Sequence, residues 1–133
     1  MSKINAKITE IQSVDSLNIV SFDFFGTSIK MMSLDLNDEM QVGREVILNV
    51  KPFHITIVKD FYGDISYSNR LDAVVKSCEN GELLSSVKLS VNGVILESII
   101  TKELALEMEL KEGDNVLVMI KANDLSIQEV INA

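Results

Sequence analysis

With 133 residues, 47% hydrophobic and 24% charged, the chain is sized for one ordinary domain or two very small ones. Twelve basic against twenty acidic residues give a formal charge of −8, which lacks the dense basic field that nucleic acid or an anionic membrane requires. One cysteine, Cys78, excludes a disulfide framework and a cysteine-based zinc site; one histidine argues against histidine acid–base catalysis; no apolar run reaches the ~20 residues that span a bilayer.

The opening Met-Ser-Lys-Ile-Asn-Ala-Lys has no apolar signal core, so a cytoplasmic location is expected. Ile4, Ala6 and Ile8 then alternate with Asn5, Lys7 and Thr9, the pattern of a half-buried strand. Val20, Phe22 and Phe24 form a second alternating run that ends at Gly26, and a third strand is expected after it. Ser33 is placed as the N-cap of a short helix closing near Gly43. Val46, Leu48 and Val50 alternate again and stop at Lys51. Phe53, Ile55 and Ile57 are expected in a last short strand, and residues 61–66 form a connector.

The same order then recurs. Leu71, Ala73 and Val75 open the second half, followed by Val87, Leu89 and Val91. Asn92-Gly93 is the strongest two-residue hairpin signal available, and a strand through Ile100 follows it. Thr101 caps a helical run of good formers over 102–108, which Gly113 closes. Leu104 and Leu106 are expected in the core, as are Met31 and Met32. Val116, Val118 and Ile120 stop at Lys121, and Leu125 and Ile127 make the final strand.

The two halves superpose residue for residue. At an offset of 67, Ile4, Ala6 and Ile8 fall on Leu71, Ala73 and Val75, and Val20 to Gly26 fall on Val87 to Gly93. The offset then becomes 70: Gly43 falls on Gly113, Val46 to Val50 on Val116 to Ile120, and Lys51 on Lys121. One three-residue indel near the short helix accounts for the change. Repeats are therefore expected at 1–62 and 66–133. Five strands and a short helix in each predict an all-β protein with short helices: two tandem five-stranded Greek-key barrels of the OB type. A unit so small buries only about 60% of its unfolded surface, so the two are expected to support each other.

From Ile100-Thr101, through Leu104, Leu106, Met108 and Gly113, to Val116 and Lys121-Ala122, the second half resembles the Mop, or TOBE, domain. Its opening Asn69-Arg-Leu71-Asp-Ala73 is similar to the family's start. The first half ends in Lys51-Pro52-Phe53-His54-Ile55, which resembles a variant found in molybdate-responsive regulators. Two tandem copies resemble the stand-alone molbindins. That resemblance implies a cytoplasmic, non-enzymatic homo-oligomer that binds molybdate or tungstate between domains. It implies no direct protein–metal bond and no nucleic-acid or membrane partner. Carried over residue by residue, it implies oxyanion binding by Ser66, Asn69, Thr101, Lys121 and Ala122, and by Lys51 and Ser33 of the first half. The family's arginine is Ser68 here, and one of its serines is Leu104.

A tetrahedral dianion needs many hydrogen-bond donors and some positive charge. Backbone amides at a capped turn, hydroxyls and a strand-end lysine supply them. Simpler readings stand beside this one. Thr101 serves as an N-cap whatever else it does, and Lys51 and Lys121 are also what a soluble sheet edge requires. A second functional reading is a TOBE interaction or regulatory module that has lost the anion, which Ser68 and Leu104 favour. A general OB-fold nucleic-acid binder needs a basic aromatic face, and 5% aromatic content with a charge of −8 speaks against it.

Overall fold

A computed structural model describes residues 2–131. The first half forms β1 (Ser2–Val14), β2 (Leu17–Phe24), β3 (Thr27–Ser33), β4 (Glu45–Val50), a 3₁₀ turn (Pro52–His54) and β5 (Thr56–Val58). The second forms β6 (Asn69–Asn80), β7 (Leu84–Val91), β8 (Val94–Thr101), α1 (Lys102–Glu107), β9 (Asn115–Ile120), a 3₁₀ turn (Ala122–Asp124) and β10 (Ser126–Val130). These make two five-stranded antiparallel sheets, an OB-like pair.

The alternating residues do what their spacing predicts, because successive strand side chains face opposite sides. Ile4, Ile8, Val20, Phe22, Leu48, Val75, Leu89, Val118 and Ile120 are all buried in one continuous core. Each long first strand carries a register shift, at Ile8/Glu10 in β1 and at Val75/Ser77 in β6. Such a bulge bends the strand and lets it pair with two neighbours that diverge. At the bend Gly43 N donates to Ile8 O at 2.8 Å, and Gly113 N donates to Val75 O at 2.8 Å. The hairpin turns match as well. Asn92 and Gly93 have φ of 50° and 83°, and Phe25 and Gly26 have 50° and 84°, the paired positive values of a type I′ turn. Asn suits that conformation; Phe25 pays about 1 kcal/mol for it.

The sheets do not follow the sequence repeats. Their strand orders are β10-β4-β1-β2-β3 and β5-β9-β6-β7-β8. The last strand of each repeat leaves its own sheet and completes the other. Thr56, Ile57 and Val58 pair with Met119, Val118 and Leu117, while Ser126 and Ile127 pair with Asn49 and Leu48. Lys59, just past the exchanged β5, anchors it: Nζ donates to Met108 O at 3.0 Å and lies 3.3 Å from Asp114 Oδ2.

Four expectations need correction. No helix forms between Ser33 and Gly43; the segment is a run of turns. It is three residues shorter than its counterpart, and its polar side chains bond the backbone instead. Ser33 Oγ accepts from Asp35 N at 3.1 Å, and Asn37 Oδ1 accepts from Glu39 N at 3.0 Å. Leu104 and Leu106 are 47% and 57% exposed, because the six-residue α1 turns Ala105 inward instead. Met31 is buried, but Met32 faces outward on β3, as strand alternation requires, and Phe53 is exposed on its 3₁₀ turn.

Two outcomes follow from the exchange. Expressed apart, segments 1–63 and 64–133 should fold only as associated pairs, since each sheet lacks an edge strand without its mate. A folded monomer of either half in analytical ultracentrifugation would contradict this. The Lys111 backbone N–H, together with Lys59, holds the Asp114 carboxyl below the usual carboxylate range. A depressed folded-state pKa gives stability that is present above the unfolded value and lost as pH falls through the folded one. Asp114→Asn should therefore lose less stability than the wild type below about pH 4, measured by urea unfolding.

Candidate functional site

The exchange decides which candidate residues become neighbours. The 3₁₀ turn after Lys51 packs on β8, the strand that ends at Thr101. The turn after Lys121 packs on β3, which ends at Ser33. Each repeat's turn is thus packed on the third strand of the other repeat. The two turns meet near the pseudo-twofold, where the equivalent residues His54 and Asp124 bring Nδ1 and Oδ1 to 3.6 Å.

Asn69 sits at the start of β6, is 1% exposed, and is spent on structure. Its Oδ1 accepts from Lys30 N at 2.6 Å, and its Nδ2 donates to Lys30 O at 2.9 Å. The two bonds satisfy the free edge of β3, which pairs only with β2. The pseudo-symmetric contact joins the N-terminal end of β1 to β8: Glu97 N donates to Ser2 Oγ at 2.8 Å. A buried Ser98 adds a third tie between the sheets, Oγ donating to Ile55 O at 2.6 Å. Sequence reasoning placed Asn69 and Ser2 at equivalent positions. It missed their joint role as edge clamps, because the partner strands lie in the other sheet.

The remaining candidates lie at the surface. Thr101 is the N-cap, its Oγ1 accepting from Leu104 N at 3.2 Å; this leaves the hydroxyl proton to donate outward. Ser33 donates its hydroxyl to Asp35 O at 2.9 Å. Lys51 and Lys121 are exposed at the ends of β4 and β9. The Lys121 ammonium lies 5.7 Å from the centre of the Tyr67 ring, and the Tyr67 hydroxyl is 3.3 Å from Thr56 Oγ1. Ala122, half-buried, opens the 3₁₀ turn, so its N–H has no acceptor within that turn. Ser66 is exposed in the connector.

A hollow of about 380 Å³ adjoins Ser33, lined also by Met32, Asp35, Leu125 and Ser126. Two larger ones, of about 500 and 410 Å³, lie at equivalent positions near the hairpin ends of the two units. The first has Asp60 and Asp72 in its wall, the wrong charge for an anion. Among the described residues no group of three or more His, Cys, Asp or Glu side chains could hold a metal ion. No helix among them is long and apolar enough to cross a membrane.

Residues 65–127 match the family model of the TOBE domain. The chain is similar to the crystal structure of ModG, described as a cytoplasmic molybdate-binding protein, with molybdate bound. The TM-score is 0.86 and identity 23%, covering 94% of this chain and 93% of that one. It is also similar to a molybdate-binding protein from Sporomusa ovata, at 28% identity and a TM-score of 0.46, over 53% of this chain and all of that one. No match was found among curated proteins. The second half thus matches the TOBE domain, and the whole chain has the paired OB-like architecture seen in the ModG structure.

Asn69→Ala should cost about 1–3 kcal/mol by urea unfolding, since it removes both hydrogen bonds that join β6 to Lys30. Asn69→Ser, which imitates Ser2, should cost less. Equal stability of Asn69→Ala and the wild type would remove the clamp from this account.

Proposed function

We propose that the protein binds a tetrahedral oxyanion, molybdate or tungstate, and so stores or buffers it in the cytoplasm without catalysis. The observation that carries the reading is the surface placement of Lys121 and Thr101 at the strand ends of a fold whose ModG counterpart holds molybdate. Within one chain these donors do not converge on a closed pocket. The site is therefore completed between copies of the chain, where Ser66 and the Ala122 amide add donors and water is excluded. Burial at such an interface strengthens every contact to the anion. Cavity size and fixed donors then select the larger tetraoxo anions over sulfate.

The edge-clamp role of Asn69 and the presence of Leu104 and Ser68 at family donor positions favour a second reading. In it the fold is an interaction module that no longer holds an anion.

Thermal unfolding with molybdate, tungstate and sulfate, paired with native mass spectrometry, separates the two. A ligand that binds only the native state adds about 2.7 kcal/mol at a hundredfold excess over Kd. Molybdate or tungstate should raise Tm and appear as bound mass, and sulfate should do neither. A folded oligomer with no shift and no bound anion at millimolar concentration establishes the second reading.

A further inference from the structure

We infer that the two repeats contribute unequally: the oxyanion is held by second-repeat donors, Thr101, Lys121 and the Ala122 amide, while their first-repeat counterparts are structural. This rests on the oxyanion reading above and specifies it.

A hydroxyl has one proton to give. Ser33 gives its proton to Asp35 O at 2.9 Å, inside the turn that replaces the missing helix. Thr101 instead accepts, from Leu104 N, and keeps its proton for a ligand. The comparison repeats one turn later. Ala122 follows Lys121 and has an N–H to donate; its counterpart Pro52 follows Lys51 and has none. The lysines differ too. Tyr67 stands beside Lys121 and restricts where its ammonium can go. Lys51 has no aromatic ring against it among the described residues. Holding a long side chain in place beforehand lowers the entropy lost on binding.

Neighbouring charge points the same way at the hydroxyls. Asp35 is two residues from Ser33, so an anion there would meet a carboxylate as well as a spent hydroxyl. Beside Thr101 stand both Lys102 and Glu103, whose charges offset each other. Near β8, Glu97 is matched by Lys88 at 3.4 Å. Asp124, three residues after Lys121, faces His54 at 3.6 Å.

The test is molybdate binding by the full-length protein in equilibrium dialysis, with bound metal counted by mass spectrometry. Lys121→Ala should weaken binding at least tenfold and Lys51→Ala less than twofold; both side chains are exposed, so neither should unfold the chain. Thr101→Asp keeps a capping oxygen but removes the free proton and adds negative charge, so binding should be lost at unchanged Tm. Ser33→Asp, the matched control, keeps the turn's acceptor and should bind as the wild type does. Equal losses from Lys51→Ala and Lys121→Ala, or loss from Ser33→Asp alone, would overturn the inference and leave the oxyanion reading standing. A wild-type protein that binds no molybdate overturns that reading itself, and this inference with it.

Discussion

The exchange of terminal strands is the constraint on which the rest depends. β5 pairs with β9, and β10 pairs with β4, so neither sheet is complete without a strand from the other repeat. A unit of about 65 residues has too little interior to be stable by a wide margin. Exchange merges two small cores into one, with Ile57 paired to Val118 and both Ile55 and Ile57 buried in the common cluster. It also covers the edges of β4 and β9, leaving the short β10 and β5 as the outer strands.

The other edge of each sheet is managed by side chains. Asn69 and Ser2 reach from the first residues of β6 and β1 to the backbone of β3 and β8. Backbone groups left open at an edge either bond to water or invite another chain. Here one residue per sheet closes part of that edge from within. His54 and Asp124 join the two 3₁₀ turns that lead into the exchanged strands. The same few contacts therefore fix the relation of the two sheets and the positions of the lysine-bearing turns.

A consequence for binding follows. The turn after each repeat's lysine packs on the strand that ends at the other repeat's hydroxyl. The two repeats differ in what surrounds these groups. Pro52 removes an N–H, and the shortened loop after Ser33 consumes a hydroxyl proton. Small covalent differences of this kind alter a site's capacity without disturbing a single strand.

Much of this was legible beforehand. Strict alternation at Ile4 to Ile8, Val20 to Phe24 and Val116 to Ile120 identified strands and their buried faces, because the two-residue period of a strand is a local property. The double offset exposed the duplication, and Thr101 announced its cap. Other features were not local. Leu104 and Leu106 read as core because helix formers with apolar side chains usually are; only the packing of a six-residue helix shows that Ala105 faces inward. The helix expected after Ser33 failed because short-range side-chain bonds outcompeted it over a shortened segment. The amino-acid order alone determined two β-rich units with matched strand-end lysines. Which sheet each last strand joins was decided only in three dimensions, because strand pairing is settled by contacts between residues some sixty to eighty positions apart.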